Sequence, residues 1–175
     1  MHVARSRMLV AMLLLAVGAC SSGESDATSG LQASIRLSDD ATAADVGLPA
    51  YPGSQSFKEA GDSSSAANLG LSTPLFGFKV VAVKLETADK PERVAAFYRQ
   101  ALSKYGKVLD CSDATEENRH SPSSDELTCD SDDGETHSIV YKVGTEKNQR
   151  IVAIKPHGNS TQFNLVHVDM RGVKQ

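Results

Sequence analysis

Residues 78–106, FKVVAVKLETADKPERVAAFYRQALSKYG, read as one buried strand feeding one amphipathic helix. Val81, Val83 and Leu85 alternate with Ala82, Lys84 and Glu86, a period of two that puts the three aliphatics on one strand face. Phe78 and Val80 fall on the other face, so the early half of the strand is expected to be covered on both sides. The helix is expected to begin at Asp89, whose carboxylate can accept from a first-turn N–H while Glu92 completes a capping box. Pro91 sits in the first turn, where its missing N–H does no harm. Val94, Phe97, Tyr98, Ala101, Leu102 and Tyr105 recur on one helical face, and Gly106 supplies a left-handed stop. Such a stripe is normally core; its aromatics could also line a ligand cavity.

Working outward, the chain alternates short strands with turns. Leu31, Ala33, Ile35 and Leu37 suggest a first strand, and 38–65 is mostly loop with a Pro52-Gly53 turn. Ala66 to Ser72 forms a strand that Thr73–Gly77 turns back into the central one. Leu75 and Phe76 at that turn either make an exposed contact tip or fold under the sheet, and the tucked arrangement is the expectation. Beyond the helix come strands at 107–111, 127–130, 136–143, 150–155 and 163–170, with a hairpin at Asp133-Gly134. The last strand shifts phase, from Phe163 and Leu165 to Val166, Val168 and Met170, which a bulge or a two-sided environment would explain. The expected fold is α+β: a mostly antiparallel meander of about six to eight strands packed on one long helix over about 90–105.

The first twenty residues bear on compartment. Arg5 and Arg7 precede an apolar run, Met8 to Val17, too short for the roughly 20 residues a bilayer span needs. The run ends in Val17-Gly18-Ala19-Cys20, which resembles the lipobox of bacterial lipoproteins, with Val at the position where Leu is commoner. The resemblance implies cleavage after residue 19 and lipidation of Cys20, hence a signal peptide (1–19), a lipidated flexible tether (20–30) and a single domain (31–175). It also implies a membrane partner through the N-terminal lipid and, from Ser21, the periplasmic side of the outer membrane if the cell has two membranes. Removing 1–19 takes two of 18 basic and none of 22 acidic residues, so the mature chain carries −6. That charge, with no basic–aromatic interleaving, argues against nucleic acid. With Cys20 committed to lipid, Cys111 and Cys129 remain as an even pair in an oxidising compartment and are expected to form a disulfide.

The run GLPAYPGS at 47–54, followed by the Asp…Pro-Glu…Phe-Tyr helix segment, resembles a group of uncharacterised bacterial lipoproteins across roughly 45–111. The resemblance brings no activity with it.

Other chemistry finds little footing. Cys111, His120, Cys129 and His137 lie eight or nine apart, a poor zinc spacing. Asp130–Glu135 puts glycine one place early for a calcium loop of the EF-hand type. There is no nucleophile elbow, phosphate loop or dinucleotide fingerprint. No cofactor and no metal is expected. The leading expectation is a non-enzymatic cell-envelope lipoprotein that binds or scaffolds another envelope component, with Tyr51, Leu75 and Phe76 as contact candidates. The alternative is a small-ligand carrier with a pocket between helix and sheet lined by Phe97, Tyr98 and Tyr141; a hydrolase ranks last.

Overall fold

The hairpin of β3 (Ala66–Ser72) and β4 (Phe76–Thr87) lies where the alternation puts it, and β4 is the strand on which the rest assembles. The computed structural model describes residues 34–112, 126–130 and 138–172. The expected signal peptide, tether, Cys20, His120, His137 and Asp133-Gly134 hairpin lie outside the described residues. The remaining strands are β1 (Ser34–Ser38), β2 (Gln55–Ser56), β5 (Leu109–Asp110), β6 (Ile139–Thr145), β7 (Asn148–His157) and β8 (Ser160–Gly172). Among the described residues two helices, α1 (Ala43–Val46) and α2 (Pro91–Ser103), complete an α+β fold.

All pairings are antiparallel, and the eight-stranded sheet runs β1-β3-β4-β8-β7-β6-β5, with β2 pairing the far end of β4. Strands β5 to β8 form a meander, and β8 then returns to pair β4 along its whole length, from Phe76↔Gly172 to Thr87↔Thr161. This register runs without a break, so the phase shift in β8 is not a bulge. β8 lies between β4 and β7 and is apolar on both faces: Phe163 and Leu165 point into the helix-side core, while Val166, Val168 and Met170 line the opposite face.

The helix-side core gathers Val81, Val83 and Leu85 of β4, Phe163 and Leu165 of β8, Val152 and Ile154 of β7, and Val94, Tyr98 and Leu102 of α2. Each aliphatic of this size, fully buried, contributes roughly 1.5–3 kcal/mol. A second cluster, Cys111, Cys129 and Val140 with Leu109, Ile151 and Ala153 against them, lies on the opposite face. There the Cys111–Cys129 disulfide ties 126–130 to the strand end at β5. Residues 127–130 form no strand, contrary to expectation. They are instead held from the side, by the bridge and by the buried Lys142, whose ammonium reaches Asp130 at 2.6 Å and the Thr128 carbonyl at 3.4 Å.

The helical layer also departs from the sequence reading, because a single long helix over 90–105 is not what forms. α2 has 13 residues and ends at Ser103, where the N–H groups of Tyr105 and Gly106 bond three residues back and close the last turn. Its N-cap is Lys90, without a side-chain cap, and Pro91 sets the first turn. Asp89 does not cap α2, since its carboxylate is taken by Tyr51 and Arg93. The four-residue α1 sits within the stretch read as loop. Asp45 accepts from the Thr42 N–H and hydroxyl at 2.8 and 2.7 Å, and Gly47 ends the turn at φ 82°. A Cβ on Gly47 would also lie 2.8 Å from the Tyr105 hydroxyl, so both conformation and space require glycine there.

Candidate functional site

The two halves of the GLP…YPG and Asp…Pro-Glu…Phe-Tyr pattern are each other's packing partners. Tyr105 donates its hydroxyl proton to the Gly47 carbonyl, and Tyr98 donates to the Pro49 carbonyl at 3.3 Å. Tyr51 donates to the Asp89 carboxylate at 2.6 Å. Arg150 donates to the Val46 carbonyl at 3.0 Å and lies 3.8 Å over the Tyr105 ring. The Tyr51 ring stands edge-on to Phe97 at 5.1 Å and to Phe163 at 6.1 Å, and Phe97 stands edge-on to Tyr98 at 5.0 Å. This seam locks the segment after α1 onto α2. Tyr51 is therefore core, not a contact residue, because the seam absorbs both its ring and its hydroxyl. Phe97 and Tyr98 pack against other rings, and Tyr141 is buried beneath the Arg99 guanidinium, 5.3 Å from its centroid.

The seam has a pH signature. The Tyr51 hydroxyl, then Arg93, hold Asp89 below the ordinary aspartate value of 3.8. Lys155 does the same for Glu59, Lys84 for Asp62 and Thr42 for Asp45. Folded values below unfolded ones mean stability that is complete above the ordinary carboxylate range and lost as pH falls through the lowered values. The thermal midpoint is accordingly expected to hold at neutral pH and to drop below about pH 4, with Asp89→Asn blunting the drop; an unchanged pH profile in that variant would show that Asp89 contributes nothing to it.

The helices cover β6, β7 and the adjoining parts of β4 and β8, but leave one end of the same sheet face open. There a groove of about 870 Å³ runs over β1, β3, β4 and β8. Register builds its floor: Arg36, Gly70, Lys79 and Asp169 stand in one row across the four strands. The next row holds Ser72, Gly77 and Arg171. A Cβ on Gly70 would meet only the Arg36 Cβ, at 3.9 Å, so the glycine leaves a gap between two cations. Strands are about 4.8 Å apart, which puts the Arg36 and Lys79 backbones roughly 10 Å from each other. Asp169, the row's acid, accepts both Arg171 N–H groups at 3.0 and 2.7 Å. Arg36 and Lys79 make no ion pair and no side-chain hydrogen bond among the described residues. Burial first, and then Arg150, hold His167 on the same face below the usual imidazole value; Lys79 adds to the lowering and Asp169 opposes it.

One lip of the groove is apolar. Leu75 and Phe76 are 54% and 47% exposed, so the turn is not tucked under the sheet. Thr73 explains this: its hydroxyl oxygen accepts from the Leu75 and Phe76 N–H groups at 3.2 and 2.9 Å and the hydroxyl donates to the Phe76 carbonyl. With its polar groups closed internally, the turn holds two large side chains outward.

Of the residues singled out from sequence, the structure leaves Leu75 and Phe76 exposed at the turn, buries Tyr51, Tyr98 and Tyr141, and packs the half-buried Phe97 against that core. Sequence reasoning missed Arg36, Gly70, Lys79 and Arg171. Their common face follows from strand alternation, but their adjacency needs the β1–β3 and β4–β8 pairings, which no local pattern gives. Comparison with protein families, with curated proteins and with solved structures found no match for this chain.

Proposed function

We propose that the protein is a non-enzymatic cell-envelope lipoprotein, held to the membrane through Cys20, whose sheet domain binds another envelope component in the groove over β1, β3, β4 and β8. The observation that carries this reading is the groove itself: cations without described partners on its floor and the outward Leu75 side chain on its lip. These are groups that recognise a partner rather than react with it. The lipobox resemblance supports the anchor and the compartment. A ligand held between helix and sheet has no comparable support, because aromatic rings occupy that seam.

Two measurements test the proposal. The native protein is expected to have a mass corresponding to cleavage before a lipidated Cys20; a retained Met1 with a free Cys20 thiol would remove the anchor. In cross-linking on intact envelopes, a Leu75→Asp, Phe76→Asp double variant is expected to lose at least about tenfold of whatever partner the wild type captures, about the 1.4 kcal/mol that burying such side chains readily supplies. Equal capture by both chains would remove the groove from the function.

A further inference from the structure

We propose that the groove is a receptor for the phosphoryl group of an amphiphilic phosphate ester, with the oxyanion over Gly70 between Arg36 and Lys79 and the apolar part against Leu75. This rests on the reading that the groove is the binding surface, and it names the chemistry bound there.

Charge gives the first argument. Three cations and one carboxylate line the groove, in a chain whose net charge is −4. Because Asp169 is already engaged by Arg171, the local excess falls to Arg36 and Lys79. An anion entering here meets cations on two sides, within the 8–10 Å over which salt leaves such attraction effective.

Shape gives the second. Arg36 stands to one side of Gly70 and Lys79 to the other. Arginine presents a rigid fork of N–H donors and lysine a compact point charge. A planar carboxylate offers both its oxygens to the fork and little to the far side. A tetrahedral phosphoryl group offers oxygens in both directions and up to two negative charges. The missing side chain at Gly70 lets such a group descend to the sheet, and the φ of this glycine is not positive, so its role is space rather than conformation.

The lip gives the third. Leu75, in the turn at the end of the groove, is about half exposed. A free inorganic anion would leave it idle, whereas an ester carrying a hydrocarbon group would cover it.

The test uses full-length lipidated protein in a nonionic detergent and calorimetric titration with three probes: dihexanoyl phosphatidic acid, inorganic phosphate and dihexanoylglycerol. The phosphatidic acid is expected to bind, inorganic phosphate at least tenfold more weakly, and the phosphate-free lipid not measurably. Lys79→Gln and Gly70→Val, the latter filling the gap without changing charge, should each weaken phosphatidic acid binding at least tenfold. Lys107→Gln, an exposed lysine outside the groove, should leave it unchanged. If Gly70→Val does not fold, Arg36→Gln carries the same test. Binding of inorganic phosphate as tight as the lipid's would overturn the amphiphile and leave a soluble phosphate ester as the source. Binding of neither phosphate probe, or undiminished binding by Lys79→Gln, would overturn the phosphoryl site. Should that happen while Leu75→Asp, Phe76→Asp still abolishes envelope capture, the groove remains the binding surface and only its ligand class is wrong.

Discussion

Tyr98→Ala is expected to lower the free energy of unfolding by about 3–5 kcal/mol, the range for truncating a large aromatic in a packed core. Tyr98 has no exposed surface, and its ring touches Phe97, Phe163 and Tyr51 with centroids 5.0, 5.5 and 6.4 Å away. Three neighbours that are themselves wedged between α2, β8 and the GLPAYPG segment cannot collapse into the space left behind. The Pro49 carbonyl would also lose its described donor. Tyr98→Phe separates the two effects, since it keeps the ring and removes only the hydroxyl, for about 1 kcal/mol. Urea titrations of the three chains settle the matter. An alanine variant within 1 kcal/mol of wild type would mean that the seam is not what holds the helix to the sheet.

Loss of the Cys111–Cys129 bridge is expected to have the next largest effect, about 3 kcal/mol for a loop of this length in the chain-entropy model. In a domain of this size that lowers the melting temperature by on the order of 10 °C. The consequence is more than loop entropy. Asp130 reaches the buried Lys142 because the neighbouring Cys129 is tied down. Without the bridge the segment that brings Asp130 and the Thr128 carbonyl to that ammonium is less constrained, which weakens contacts of a buried charge. The cluster on this side is separate from the aromatic core. Reduction, or the Cys111→Ser, Cys129→Ser pair, should therefore lower the melting temperature while leaving the near-ultraviolet signal of the tyrosines largely intact below the transition. Equal melting temperatures with and without reductant would show that the bridge contributes nothing to folding.

The elements that sequence made legible are those whose pattern is local. The alternation of β4, the stripe of α2 and the bounds of β3 all come from residues a few positions apart, and period tells which face a side chain takes. It does not tell which strand lies alongside. β4 and β8 are joined by twelve residue pairs, yet nothing in 76–87 points to 161–172. The four-residue α1 carries too few turns for periodicity to register, and its signals, Thr42, Asp45 and Gly47, read equally well as loop. Asp89 shows the opposite failure. Its position before Pro91 and Glu92 satisfies every local rule for a helix cap, but a tyrosine 38 residues earlier takes its carboxylate first. The groove was hidden for the same reason. Arg36, Gly70 and Lys79 are unremarkable apart and form a row only after three strands are aligned.

The first strand of the domain is also an outermost one. Among the described residues β1 pairs only with β3, and it brings Arg36. Tension applied at Ser34 reaches this strand before any other described strand, and five residue pairs resist it. Peeling them would remove one wall of the groove while the β3–β4–β8 centre and the aromatic seam stay assembled. Force applied at Ser34 would thus open the groove before it threatened the fold.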